Sequence, residues 1–156
     1  MKVAVLDNLR SVYNVGSIFR TANAAGIDTL YLCGTTPTPL DHKGRKRSDF
    51  AKVALGAEDS VSWNYSVSTE ECLDMLRERG VYVVAIEQDE KAVDYKKIDV
   101  SAKENVAFVI GPEVQGMSEG VLRRCNQIAE IPMLGTKESL NVTIAFGVAV
   151  YRMLGL

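Results

Sequence analysis

Three segments carry polar side chains that a plain connection between secondary-structure elements does not need, and the first covers 14–26, NVGSIFRTANAAG. Its apolar residues recur at helical spacing from Asn14 onward, so we expect Gly16, Ser17 and Arg20 to face outward. Free backbone N–H groups in the first helical turn would attract an anion, and Arg20 could hold a phosphate with two nitrogens. The alternative is an N-cap asparagine followed by a solvated arginine.

The second segment is 106–122, VAFVIGPEVQGMSEGVL, in which an apolar run stops at Gly111 and Pro112. Glycine allows backbone to approach a ligand closely, and both Gly111 and Gly116 could serve in this way. Glu113 could pair with a cation or orient a hydroxyl group. The alternative is a Gly-Pro turn with an exposed glutamate.

The third segment is 131–154, IPMLGTKESLNVTIAFGVAVYRML. Ser139 and Asn141 stand at the entrance of a helix that we expect over 140–154 and that is apolar on nearly every side. Ser139 could be its N-cap, which leaves Asn141 without an obvious structural role. A helix of this composition is expected to be buried all round, inside the domain or against another subunit.

Charge and composition narrow the classes of partner. A net charge of −2 argues against a protein that binds nucleic acid through bulk charge, although 42–47, HKGRKR, is a local basic cluster. That cluster predicts contact with an RNA backbone, the alternative being a solvated loop, and its His42 is a weak candidate for a general base. Three cysteines without tight spacing predict reduced thiols in the cytoplasm. We expect no metal, no membrane span and no signal peptide.

The elements that must position these segments alternate between short apolar strands and amphipathic helices. Several strands are apolar on both faces, which is typical of a parallel sheet that is covered on both sides. We therefore predict one α/β domain over 1–156, a three-layer sandwich with a mostly parallel six-stranded sheet and no appended RNA-binding domain. The longest stretch without periodicity, 34–52, is expected to be a functional loop. The predicted strands are Lys2–Leu6, Thr29–Cys33, Val61–Trp63, Val81–Ile86, Val106–Ile110 and Ala129–Met133.

Taken together and in this order, N…GSIFRTA, GPE…G and IPM…SLN before an apolar terminal helix resemble the three motifs of the SpoU (TrmH-like) branch of the SPOUT methyltransferases. The resemblance implies methylation of an RNA ribose 2′-hydroxyl with S-adenosylmethionine as the methyl donor. It also implies a deep C-terminal trefoil knot and a homodimer through the last helix. Transfer RNA is favoured over ribosomal RNA, because a minimal domain offers little surface to a large partner.

The resemblance also assigns residues, position by position. An arginine has a pKa above about 12 and is a poor base, so we expect Arg20 to clamp a phosphate and stabilise the forming alkoxide. The expected catalytic residues are Asn14, Arg20, Glu113, Ser139 and Asn141. The expected cofactor-binding residues are Ile86, Ile110, Gly111, Glu113, Gly116, Ile131, Met133, Ser139 and Leu140. The expected RNA-binding residues are Arg10, Lys43, Arg45, Lys46 and Arg47.

Two other classes of protein are weaker interpretations of the same sequence. A non-catalytic RNA-binding module of the same fold would be favoured by loss of Arg20, Glu113 or Asn141, and all three are present. A dinucleotide-binding oxidoreductase should show GxGxxG after the first strand, where this chain has DNLRSVYNVGS.

Overall fold

A computed structural model describes all of residues 1–156, which form a seven-stranded sheet in the order β3-β2-β1-β6-β4-β7-β5. Every pairing between neighbouring strands is parallel. The carboxyl ends of all seven strands therefore lie at one edge of the sheet, where ligands bind in folds of this kind. The strands are β1 (Lys2–Asp7), β2 (Thr29–Cys33), β3 (Ser62–Ser66), β4 (Tyr82–Ile86), β5 (Val93–Asp94), β6 (Val106–Ile110) and β7 (Gln127–Glu130).

Helices cover both faces of the sheet and give three layers. The larger core lies on one face, where Phe19, Phe50 and Phe146 pack on the sheet from different helices. The smaller core lies on the opposite face, where Leu73 and Leu76 pack against the alternate residues of the strands. The helices are α1 (Val12–Ala24), α2 (Ser48–Ala54), α3 (Ala57–Ser60), α4 (Thr69–Glu78), α5 (Glu119–Leu122) and α6 (Val142–Leu154), with a 3₁₀ turn at Tyr95–Lys97.

The predicted α/β architecture is confirmed, but the predicted number of six strands is wrong. The strand that was missed is β5, whose two residues are too few to give a sequence pattern. The predicted strand Ala129–Met133 is Gln127–Glu130 in the structure, since only that part pairs with its neighbours. The stretch 34–52 is not loop throughout, because α2 begins at Ser48.

Helix α1 begins earlier than its apolar pattern indicates. Ser11 is the N-cap, and its side chain accepts a hydrogen bond from the backbone of Asn14. Gly16 consequently lies beyond the first turn and is buried; a Cβ there would lie 3.0 Å from the Cβ of Val53 in α2. The expectation that Gly16 faces outward beside a first-turn anion site is therefore wrong, and this glycine allows two helices to pack closely.

Helix α6 begins at Val142 and is not buried all round within this chain. Ile144, Val148 and Tyr151 are 54%, 39% and 38% exposed, and their spacing puts them on one side of the helix. Gly147, between them, faces Thr21 of α1, where an added Cβ would lie 3.5 Å from the Thr21 methyl group. Helices α1 and α6 are thus neighbours, and an uncovered apolar stripe lies on α6. None of the helices combines the length and apolarity that a membrane crossing requires.

Candidate functional site

A cleft lies at the carboxyl ends of the adjacent strands β6, β4 and β7, and we call it the apolar cleft. It has a volume of about 140 Å³. Ile86 ends β4, Ile110 ends β6, and Ile131 follows β7, so three strand ends supply apolar side chains to one space. The loop before α6 and the first turn of α6 close the cleft through Leu140 and Val142.

Eight of the nine residues predicted to bind the cofactor line this cleft. They are Ile86, Ile110, Gly111, Glu113, Ile131, Met133, Ser139 and Leu140. The ninth, Gly116, lies outside it; its φ of +68° suits glycine, and an added Cβ would lie 3.1 Å from Glu87 Oε2. Gly116 therefore has a structural reason to be glycine. The binding role of the other eight stays a prediction, and their common location supports it.

Gly111 was expected to be glycine so that backbone could approach a ligand closely, but the structure shows a different reason. A Cβ at this position would lie 2.4 Å from the Cγ of Met117, which belongs to the core on the other face of the sheet. The missing side chain therefore makes room for Met117. Gly111 still contributes backbone to the apolar cleft.

Glu113 joins the first and third polar segments of the sequence. Its Oε1 accepts hydrogen bonds from Asn14 Nδ2 at 3.1 Å, Asn141 Nδ2 at 3.5 Å and the Val142 backbone N–H at 3.3 Å. Because Val142 is the first residue of α6, the carboxylate also lies at the positive end of that helix. The structure thus brings together three of the five residues predicted to be catalytic. Glu113 is exposed, as the alternative interpretation expected, but its Oε1 is tied to the first and third segments by three hydrogen bonds.

Asn141, not Ser139, is the N-cap of α6. The Asn141 side chain accepts hydrogen bonds from the backbone N–H of Thr143 at 2.9 Å and from its hydroxyl at 2.6 Å. One amide group therefore caps the helix through its oxygen and contacts Glu113 through its nitrogen. Ser139 is exposed in the preceding loop and lines the apolar cleft, where its hydroxyl can reach a bound molecule.

Arg20 is the predicted catalytic residue that this chain does not bring to the cleft. It is exposed on α1, as expected, and does not line the apolar cleft. Six residues separate it from Asn14, which is about 9 Å along the helix axis. Arg20 follows the stretch of α1 that carries Asn14, and it precedes Thr21, which contacts α6.

The four basic-loop residues, Lys43, Arg45, Lys46 and Arg47, do not all present free charge. Arg45 contacts Asp41 at 2.9 Å, Lys46 contacts Asp59 at 2.7 Å, and Arg47 contacts Asp49 at 2.8 Å. The hydrogen bonds to Asp59 and Asp49 raise the pKa values of the Lys46 and Arg47 side chains above their ordinary values. Exposed ion pairs of this kind contribute little to stability, so phosphates can replace the carboxylates at little cost. Their RNA-binding role, and that of exposed Arg10, stays a prediction.

The three cysteines are free, and Cys33 and Cys125 are unsuited to act as nucleophiles. The neighbouring Cys72 thiol and burial hold the pKa of Cys33 far above its ordinary value. Burial raises the pKa of Cys125 to about 12. Since the thiolate is the reactive form, Cys33 and Cys125 stay protonated at neutral pH. The pKa of Cys72 is lowered by its hydrogen bond with Cys33, but Cys72 is buried in the core on α4. The structure shows no group of three or more His, Cys, Asp or Glu side chains arranged to hold a metal ion.

Six residues that line the apolar cleft were not among those predicted to bind the cofactor, because only the fold shows that they face the cleft. Glu87 and Gln88 follow β4 and place polar groups beside the apolar lining. Glu87 is held there by the backbone N–H groups of Gln88 and Met117. The full set is Glu87, Gln88, Pro112, Ala129, Val142 and Ala145.

The fold and the cleft together define an α/β protein with a cleft beyond the ends of parallel strands, which is where folds of this kind bind small molecules. The sequence profile of the SpoU rRNA Methylase family matches residues 1–151. The chain belongs to this family, as its three motifs indicated.

Relatives of the chain include named RNA methyltransferases. The 23S rRNA (guanosine-2′-O-)-methyltransferase RlmB of Bordetella pertussis is 32% identical over 148 residues, which are 95% of this chain and 57% of that protein. The AdoMet-bound rRNA methyltransferase of Sinorhizobium meliloti has a TM-score of 0.86 and 30% identity, covering 97% of this chain and 55% of the other. A structure described as giving insights into 2-OH methylation of C/U34 on tRNA has a TM-score of 0.81 and 29% identity, covering 98% and 93%. The chain spans a little over half the length of the curated relatives that it matches.

Proposed function

We propose that this chain transfers a methyl group from S-adenosylmethionine to a ribose 2′-hydroxyl of RNA. The observation that carries the proposal is the meeting of Asn14, Glu113 and Asn141 at the edge of the apolar cleft. These residues come from three distant segments, and a purely structural tie between helices would not require them beside a cleft. Family membership and the methyltransferase names of the relatives support the proposal.

The chemistry of the cleft fits S-adenosylmethionine. Ile110, Ile131 and Val142 offer an apolar surface to a flat purine ring, and Gln88 and Ser139 offer hydrogen bonds to hydroxyl groups. Glu87 and Glu113 both line the cleft. Their negative charge favours a ligand that carries a positively charged sulfonium and ammonium group. When bound, this cofactor supplies an activated methyl group, so the protein has to position and polarise the acceptor.

The residues around Glu113 are suited to hold the ribose. Oε1 of Glu113 fixes Asn14 and the start of α6, while Oε2 accepts no hydrogen bond from the chain and can orient the 2′-hydroxyl. The amide oxygen of Asn14 has no partner within the chain and can accept a hydrogen bond from the ribose. The free side of this cluster therefore consists of acceptors that favour a hydroxyl group in one orientation.

Arg20 enters the proposal through a second copy of the chain. We propose that the stripe Ile144, Val148 and Tyr151 forms a homodimer interface, because its apolar side chains are exposed on α6. Thr21 packs against α6, so the neighbouring Arg20 lies next to that interface. A dimer through α6 can thus bring Arg20 of one copy to the cleft of the other, where it clamps a phosphate and stabilises the forming alkoxide.

The chain path, the RNA substrate and the cellular location complete the proposed function. We propose a deep trefoil knot in which the C-terminal segment threads behind the loop that precedes it, a rare exception among protein folds. A tRNA substrate is proposed over rRNA, and the relatives include enzymes named for each. We also propose that residues 1–156 form a single catalytic domain and that the protein acts in the cytoplasm.

Two measurements test the function. Calorimetry in EDTA should show metal-independent binding of S-adenosylmethionine, and a labelled methyl group should pass to total RNA from cells that lack the gene. If the protein does not bind S-adenosylmethionine at millimolar concentration, with or without RNA, the proposed methyltransferase activity is excluded. Cofactor binding without any transfer would favour a non-catalytic RNA-binding module instead.

A further inference from the structure

A second cleft opens at the same edge of the sheet, between the end of β1 and the start of α4, and we call it the polar cleft. It has a volume of about 480 Å³, and Arg10, Thr35, Ser68 and Gln115 are among the residues that line it. A smaller cavity of about 160 Å³, beside Asn14 and Glu113, lies between the two clefts. Pro112 lines all three spaces, so they lie next to one another along the same edge of the sheet.

Asp7 lines the polar cleft although it is only 3% exposed. Its Oδ1 accepts hydrogen bonds from Asn8 Nδ2 at 2.9 Å and Thr69 Oγ1 at 2.6 Å. Its Oδ2 accepts no hydrogen bond from the chain, and none of the ion pairs of the structure includes Asp7. A buried carboxylate without a cation lowers stability, so a purely structural role would be served better by a neutral amide.

The distance from Asp7 to the cluster around Glu113 suits a single nucleotide. A Cβ placed at Gly111 would lie 3.5 Å from Asp7 Oδ2. Glu113 is two residues further along the chain, so its Cα lies at most about 7 Å from that of Gly111. A ribose held at Glu113 therefore leaves its own base within reach of Asp7.

Building on the proposed methyltransferase function, we propose that the polar cleft binds the base of the methylated nucleotide and that Asp7 reads an amino group on it. A carboxylate oxygen accepts hydrogen bonds, which matches the exocyclic amino groups of cytosine, adenine and guanine. Uracil is disfavoured, because carbonyl oxygens flank its single N–H donor. Proteins that read RNA by sequence commonly bind unpaired bases in this way.

Asp7→Asn tests the proposal with little change of shape. The new amide oxygen still accepts from Asn8 and Thr69, while its nitrogen places a donor where Oδ2 was. The assay is methyl transfer to total RNA from cells lacking the gene, followed by nuclease digestion and mass spectrometry of each 2′-O-methylnucleoside. We expect wild-type products on amino-bearing bases. We expect Asp7→Asn to lower kcat/KM on that RNA by at least about tenfold and to raise the share of 2′-O-methyluridine.

The controls separate base reading from folding and from the proposed function. Arg79→Ala, an exposed change at the C-cap of α4 on the opposite edge of the sheet, should stay within about twofold of wild type. Wild-type products mainly on uridine, or an Asp7→Asn enzyme with unchanged rate and products, would overturn the proposal. If Asp7→Asn does not fold, the exposed variants Thr35→Val and Gln115→Ala decide, and full activity in both would overturn it. A wild-type protein that methylates no RNA would refute the proposed function, and the proposed role of Asp7 would then be refuted as well.

Discussion

Replacing Glu113 separates the structural role of its carboxylate from its role in the reaction. Glu113→Ala removes the acceptor shared by Asn14, Asn141 and the backbone of Val142. At 3.1–3.5 Å from an exposed carboxylate, each bond should contribute near the low end for hydrogen bonds, about 0.5 kcal/mol. The lost charge at the N-terminus of α6 costs about 0.3–1 kcal/mol more.

The free energy of unfolding of Glu113→Ala should therefore fall by roughly 1.8–2.5 kcal/mol. For a chain of this size that lowers Tm by roughly 4–10 °C, which differential scanning calorimetry can measure. Glu113→Gln keeps an oxygen for the same three donors, so its Tm should change much less. Glu119→Ala is the matched control, since Glu119 is exposed and its contact with Arg123 is long, at 3.9 Å.

Methyl transfer should respond differently from stability. Glu113→Gln loses the charge that orients the ribose hydroxyl, so its rate should fall about 10²–10³-fold, the usual cost of one preorganised polar group at a transition state. Affinity for S-adenosylmethionine should fall less. A Glu113→Gln enzyme with full activity would remove the charge from the mechanism. An unchanged Tm in Glu113→Ala would show that the hydrogen bonds contribute nothing to stability.

The remaining predictions concern other parts of the molecule. Arg20→Ala should keep its fold and its affinity for the cofactor, while the transition state of methyl transfer loses about 2.7–4 kcal/mol of stabilisation. Partial rescue of the rate by Arg20→Lys would indicate that a point charge is sufficient. Full activity in Arg20→Ala would exclude Arg20 from the mechanism. Val148→Arg should turn a dimer into a monomer of 17.1 kDa in light scattering, and a wild-type monomer at micromolar concentration would refute the interface. Alanine at all four basic-loop positions should weaken RNA binding and reduce its salt slope by about 0.7–0.9 per lost phosphate contact. An unchanged slope would mark the loop as a solvated surface.

Much of the sheet could be predicted from the sequence, because several of its strands are apolar on both faces. The bounds of β2 and β6 agree with the structure residue for residue. β5 could not be predicted, since two residues carry no period. The start of α6 was misplaced because Ser139 and Asn141 are both good N-caps, and only the surrounding fold selects between them.

The site was predictable in its residue types but not in its contacts. Asn14 and Glu113 are 99 positions apart, so no local pattern indicates that they share a hydrogen bond. The ion pair between Lys46 and Asp59 likewise depends on where α3 lies in the fold, so the charges in the sequence do not predict it. Asp7 follows directly after the predicted strand Lys2–Leu6, and no pattern in the sequence indicates a function for it. That one oxygen of its carboxylate lacks a hydrogen-bond partner becomes apparent only in the fold, where Thr69 of α4 contacts the other oxygen.

The central claim is that the 2′-oxygen of a ribose in RNA receives the methyl group. Purified protein should be incubated with isotopically labelled S-adenosylmethionine and total RNA from cells lacking the gene, and the digested nucleosides should be separated by mass spectrometry. The account predicts labelled 2′-O-methylnucleosides in wild-type reactions and their near absence with Glu113→Gln. Label on a base, or no label in RNA, would contradict it.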